Sequence, residues 1–313
     1  MADSNKPRSR FNQSTPPSKN LEIETSDDSL AAHVLKRVLD RISPHCGGLY
    51  HEVPDHQKND FIMSGYRLNF RGITDCFKFG FSLHNETVNI WTHLLAGLFF
   101  VYQAIDFAIS IKNWNLEDIV VLIAICGCIW CMAASVWFHL CVCISCPAHF
   151  GCLLRADFAG ILFVIFTLYF ALVSLVFGGR NAALQGLYTL YALAGGIIGC
   201  LPLTVTHLSK WQRVALVVFG FSSGVPISHF VAIATPEELS VFSGPMVVCA
   251  VSFTIGVFIY FLAIPERFFP GRFDIWGHSH QWWHICVFGG LQGAVQTLLA
   301  LHALRRHHEY NFV

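Results

Sequence analysis

The segment "GHSHQWWH" (277–284) carries two histidines, His280 and His284, four residues apart. On a helix such a pair lies one turn apart on a single face. A third histidine, His139, closes an apolar run in "SVWFHL", and Ser135 precedes it by one turn, on the same face. Asp157 opens another apolar run in "RADFAG". Three imidazoles with water at an open fourth position make a catalytic type of zinc site. Neutral imidazole ligation also avoids leaving polar groups unpaired in a low-dielectric setting. In that site Asp157 could orient the water, accept its proton or support a ligand from behind, and Ser135 could touch a ligand or the water. The competing reading is a set of separately hydrogen-bonded histidines among the 16 in the chain. Spacing alone leaves both open.

The elements that must position these residues are membrane spans. Of 313 residues, 54% are hydrophobic and only 13% charged, against about 25% charged in soluble domains. After residue 87 the chain falls into seven apolar stretches of the length that crosses a hydrocarbon core as helix, at 88–110, 117–141, 153–177, 182–203, 213–234, 244–263 and 282–304. Polar or Gly/Pro-bearing breaks separate them, including "CPAHFG", "FGGRN", "ATPEEL" and "PERFFPGRFD". The fold class is an all-α membrane protein with seven transmembrane helices.

Loop charges give an orientation. With the N-terminus inside, the inner segments hold Arg67, Arg71, Lys78, Arg155, Lys210, Arg213, Arg267 and Arg272, and the outer ones Lys112, Arg180, Arg305 and Arg306. Eight against four favours a cytoplasmic N-terminus and an external or lumenal C-terminus. The second span then ends, and the third and seventh begin, at the cytoplasmic face, which brings His139, Asp157, His280 and His284 to one depth.

Residues 1–60 read as a polar, partly disordered cytoplasmic tail without a signal peptide, so the first span must itself direct insertion. Within the tail, 29–42 places Leu30, Val34, Val38 and Ile42 on one face of an amphipathic helix, suited to the membrane surface or to packing on the protein's own loops. Residues 61–87 form a membrane-proximal cytoplasmic segment, 88–304 the seven-helix domain and 305–313 a short external tail. The polar tail names no partner by itself, and no nucleic-acid partner is expected.

Lone polar residues in the spans have plainer readings. Asp106 reaches the headgroups, His93 and His229 are satisfied core histidines, and His302 sits at the outer end of the last span with no special role. His278 lies two residues from His280, so a regular helix turns it away, although just before the helix it could serve as an alternative ligand. The 12 cysteines show no disulfide framework. Cys128 and Cys131, like Cys143 and Cys146, have C-x-x-C spacing without a second pair at zinc-ribbon distance. Cys141, Cys143, Cys146 and Cys152 flank one loop and are candidates for palmitoylation.

Taken as a set, "NETVNIWTHLLAG" (85–97), "SVWFH" (135–139), "ADFAGI" (156–161), "GVPISHF" (224–230), "IPERFFPGRFDIW" (264–276) and "SHQWWH" (279–284) resemble the progestin and adipoQ receptor family over roughly residues 60 to 304. "PERFFPGRFDIW" is most like the adiponectin receptors, whereas "HNETVNIW" and "SHQWWH" lean toward the Golgi-resident member that tethers a Raf kinase. The resemblance implies a Zn2+ cofactor held by His139, His280 and His284, with Asp157 near the zinc-bound water and Ser135 beside it. The wider superfamily includes alkaline ceramidases, which implies hydrolysis of a ceramide-like lipid amide coupled to signalling, with Asp157 and Ser135 as catalytic residues. The alternative it implies is a non-enzymatic receptor or Golgi scaffold with structural zinc, whose tail segment Leu30 to Ile42 would be the docking element for a cytoplasmic kinase or adaptor. An extracellular ligand is possible on either reading, in the Golgi or the plasma membrane.

Overall fold

A computed structural model describes residues 34, 37, 46–68, 70, 72–200 and 210–311. Of the expected tail helix only Val34 and Arg37 fall among these, both helical and exposed; Leu30, Val38 and Ile42, like Arg71 and 201–203, lie outside the described residues. A two-residue strand, β1 (Gly48–Leu49), pairs antiparallel with β2 (Ser64–Tyr66), and a short helix, α1 (Ile73–Phe79), follows. Seven apolar segments long enough to cross a membrane come next, confirming an integral multi-pass helical fold. They are α2 (Thr87–Ser110), α3 (Leu116–Cys141), α4 (Pro147–Phe177), α5 (Ala182–Cys200), α6 with α7 (Lys210–Ser222 and Gly224–Ile233), α8 (Pro236–Leu262) and α9 (Ser279–Asn311).

Three of these segments begin earlier than hydropathy suggests, for reasons of capping. The third starts at Pro147 rather than 153 and the sixth at Pro236 rather than 244. Proline suits the first helical position, where its missing N–H costs no hydrogen bond. Thr235 and Glu238 complete a reciprocal capping box, with Thr235 N–H donating to Glu238 at 2.9 Å and Glu238 N–H to Thr235 Oγ1 at 3.2 Å. The polar "PEEL" that looked like a loop is thus a first turn. The seventh starts at Ser279 rather than 282, so both histidines of the i, i+4 pair are helical. The fifth segment is broken at Ser223, where Gly224 opens α7.

α9 is the central helix. It packs along α8 and also meets α2, α3 and α4. Its close approach to α8 depends on Gly293, where an added Cβ would stand 2.6 Å from the Cys249 nitrogen and 2.7 Å from the Pro245 carbonyl oxygen. Small residues at such a crossing let two backbones approach, which is how helices associate in lipid.

At the end of α9 away from the histidines, a buried polar clamp ties three helices together. His302 lies 2.6 Å from Asp118 of α3, and Arg305 binds Glu117 at 2.5 and 3.1 Å and the carbonyls of Leu175 and Gly178. His302 therefore has a definite structural partner, contrary to the plain expectation: Asp118 is fully buried and needs a donor beyond its own cap.

Candidate metal centre

The start of α9 is built by its own sequence. Gly277, at φ 83, makes the turn into the helix, a conformation for which glycine has no steric cost. Gln281 then sews that turn shut, accepting from Gly277 N–H at 2.5 Å and donating to Ile275 O at 2.8 Å. Ser279 N–H donates to Glu266 at 2.7 Å and its hydroxyl binds the other carboxylate oxygen. A buried carboxylate at a helix N-terminus meets unsatisfied N–H groups and a favourable dipole. Asp274, in the same linker, accepts from Met63 N–H at 2.9 Å and Ser64 Oγ at 2.6 Å, anchoring the linker to β2. These contacts account for the acids of "PERFFPGRFDIW": they position the two histidines.

The ends of the spans meet as the alternation requires. His280 Nε2 lies 3.3 Å from His139 Nε2 and 3.2 Å from His284 Nε2, and the three could hold a metal ion. His139 and His284 are buried and His280 is half-buried. Each outer ring is fixed from behind. His139 Nδ1 is 2.7 Å from Glu86 Oε2, and His284 Nδ1 is 3.1 Å from the Asn89 carbonyl oxygen and 3.3 Å from Thr92 Oγ1. With protons on both Nδ1 atoms, the Nε2 atoms of His139 and His284 are both acceptors beside His280 Nε2, a donor set that a cation would satisfy. Zn–N bonds of about 2.05 Å at tetrahedral angles put nitrogens about 3.3 Å apart, and the separations of 3.3 and 3.2 Å from His280 Nε2 lie close to that edge length. The donor set fits zinc.

Asp157 on α4 faces both Ser135 and His139, and Ser135 is buried on the His139 face of α3. All five residues singled out in the sequence are therefore brought together at one end of the bundle. His278 is not among the converging donors: it precedes the helix, is buried, and points Nε2 at the Asn85 carbonyl oxygen at 3.3 Å.

Two residues, Glu86 and Asn89, escaped the sequence reading, and a third, His93, differs from it. Burial alone would raise the Glu86 carboxyl, yet hydrogen bonds from His139 and from Asn89 Nδ2 (2.6 Å) hold it well below the usual carboxylate range. Asn89 supplies its carbonyl to His284. His93 is no satisfied core histidine: among the described residues neither ring nitrogen has a hydrogen-bond partner, and the ring stacks on His284 at 3.6 Å and 9°. Residues 86, 89 and 93 follow i, i+3, i+7 spacing, one face of α2, and that was the available signal. His229 does find its partner, the Tyr188 hydroxyl at 2.8 Å.

Comparison with known proteins gives the chain a family. The model of the Haemolysin-III related family matches residues 81–294, a stretch holding Glu86, Ser135, Asp157 and the three histidines. The adiponectin receptor protein of Drosophila melanogaster is 33% identical over 244 residues, 74% of this chain and 54% of its own length. The ADIPOR-like receptor IZH2 of Saccharomyces cerevisiae is 31% identical over 283 residues, covering 84% of this chain and 85% of its own. Progestin and adipoQ receptor family member 3 of Mus musculus is 31% identical over 251 residues, covering 75% and 79%. The chain spans about half the length of the Drosophila receptor. The chain belongs to the Haemolysin-III related family, as a seven-helix membrane protein of its progestin and adipoQ receptor group.

Proposed function

We propose that this protein is a zinc-dependent hydrolase of a ceramide-like lipid amide, coupled to receptor signalling, with its site at the cytoplasmic end of the bundle. The observation that carries the reading is the convergence of three Nε2 atoms, with Glu86 and Asn89 fixing the tautomers of two of them. Bound zinc supplies Lewis acidity toward an amide carbonyl and toward water. Glu86 keeps His139 in the Nδ1–H form, so its Nε2 stays available. Asp157 takes a proton from the attacking water and returns it to the departing amine; Ser135 donates a hydrogen bond to the oxyanion that develops on the acyl carbon. The C–N bond breaks, water's oxygen joins the acyl carbon, and a fatty acid and a sphingoid base leave. A lipid can reach such a site laterally between helices, without leaving the bilayer.

The test is release of fatty acid from ceramide by purified protein in lipid nanodiscs. Asp157→Asn is expected to lower turnover by about 10²–10⁴-fold while zinc stays bound. Unchanged turnover in Asp157→Asn, or none in the zinc-loaded wild type, overturns the enzyme reading. The latter result would favour the receptor or kinase-tethering scaffold with structural zinc.

A further inference from the structure

Beneath His139, at the same end of the bundle, three buried cysteines gather outside the metal centre. Cys76 of α1 and Cys143, in the turn between α3 and α4, have sulfurs 3.7 Å apart, and Cys141 also bonds Cys76. The two backbones are held in register by their surroundings. Ser145 N–H donates to Phe70 O at 3.4 Å, and Phe70, Leu140 and Ile144 pack around the thiols. Cys143 also lines a cavity of about 360 Å³ with Glu52, Gln57, Arg67 and Ser145, the nearest approach for a small water-borne oxidant to the pair. Burial of Cys141 and Cys143 argues against the palmitoylation that their loop position suggested; only Cys146 and Cys152 of that set are exposed.

We propose that Cys76 and Cys143 form a reversible disulfide that fastens α1 to the turn after His139. Closure brings the two sulfurs from 3.7 Å to about 2.05 Å. With hydrogen peroxide as oxidant, the Cys143 thiolate attacks one peroxide oxygen and displaces hydroxide, giving a sulfenic acid. The Cys76 thiol then attacks that sulfur, the S–S bond forms, and water departs. Two thiols are oxidised, one peroxide is reduced to two waters, and the thiol protons end on water. The hydrogen bond with Cys76, together with burial, pushes the Cys143 thiol up, and the bond with Cys141 helps push Cys76 up to about 11. Closure is therefore slow at neutral pH and accelerates as pH rises, because the thiolate is the nucleophile. Cys76 lies ten residues before Glu86 and Cys143 four after His139, so the link brackets the Glu86–His139 pair, though its formation does not depend on a bound metal.

The test is peroxide treatment of the full chain in nanodiscs, denaturing alkylation and peptide mapping by mass spectrometry without reductant. A Cys76–Cys143 peptide pair as the main cross-link, lost after dithiothreitol and absent in Cys143→Ser, is the expected result. The proposal is overturned if Cys76 and Cys143 stay alkylated while Cys146 or Cys152 is oxidised, or if Cys76 is recovered with Cys141 instead. The wild-type map decides the matter even if Cys143→Ser does not fold.

Discussion

Glu86 Oε2 and His139 Nδ1 are 2.7 Å apart across the α2–α3 interface, and His139 turns its other nitrogen to the pair on α9. One carboxylate at the start of a helix thus fixes a donor on the next helix for a site completed by a third. Outer partners of metal-bound histidines typically carry about 10–100-fold in metal affinity. Glu86→Ala is expected to weaken zinc binding by about that factor, and Glu86→Gln by less, since its amide oxygen still accepts from Nδ1. Competition titration with a zinc-chelating dye measures both; equal affinity in Glu86→Ala and wild type would show that the pair is incidental.

At the opposite end, Asp118 is fully buried against His302. Removing His302 takes one buried partner from Asp118, which keeps the Asn115 N–H at 2.6 Å and Arg306 at 3.7 Å, at a cost of about 1–3 kcal/mol. His302→Leu should lower the melting temperature sharply in detergent, and the double variant Asp118→Asn/His302→Leu should recover part of the loss. Additive losses would contradict the coupling. Zinc content per folded chain should not change, because the clamp and the metal centre sit at opposite ends of α9.

Gly293 sets the approach of α9 to α8. Gly293→Leu has no room for its Cβ and should cost about 1–3 kcal/mol as overpacking. It should also reduce zinc affinity, since α9 carries two of the three donors. A variant with normal melting and normal zinc would show that the helices part there at no cost.

His84, outside the spans, is buried with Nε2 2.9 Å from Gly80 O and Nδ1 3.1 Å from the Glu86 amide nitrogen. It is held neutral: burial, and then the Arg67 charge, keep its pKa well below the ordinary imidazole value. The unfolded chain therefore binds more protons, and stability rises with pH. This contribution is present above about pH 6.5 and is lost as pH falls below that value. Protonating Nδ1 would also remove the acceptor of the Glu86 N–H. His84→Gln should show a smaller fall in melting temperature than wild type between about pH 7.5 and about pH 5.5; parallel curves would exclude His84 as a source of the acid sensitivity.

Much of the fold could be read before any coordinates, because seven apolar runs of spanning length leave few architectures. The histidine centre followed from alternation, which places the end of one span and the starts of two others at one face. What could not be read were boundaries and partners. "PEEL" and "CPAHF" have the polarity of loops, yet proline at the first helical position and the Thr235–Glu238 box make them first turns. Glu86 was passed over and His93 read as a satisfied core residue because hydropathy treats each as an isolated polar residue, whereas their common face on α2 shows only once α2 is set against α9. His302 was underrated for a similar reason: its partner Asp118 is far away in sequence, at the start of another helix.

The central claim is that His139, His280 and His284 together hold zinc. Its most direct test is the metal content of protein purified without chelators, measured by inductively coupled plasma mass spectrometry beside a His280→Ala/His284→Ala double variant shown to be folded by circular dichroism. One zinc per wild-type chain and none in the folded double variant is the expected result. A metal-free wild type that takes up no added zinc, or a double variant that keeps its zinc, would contradict it.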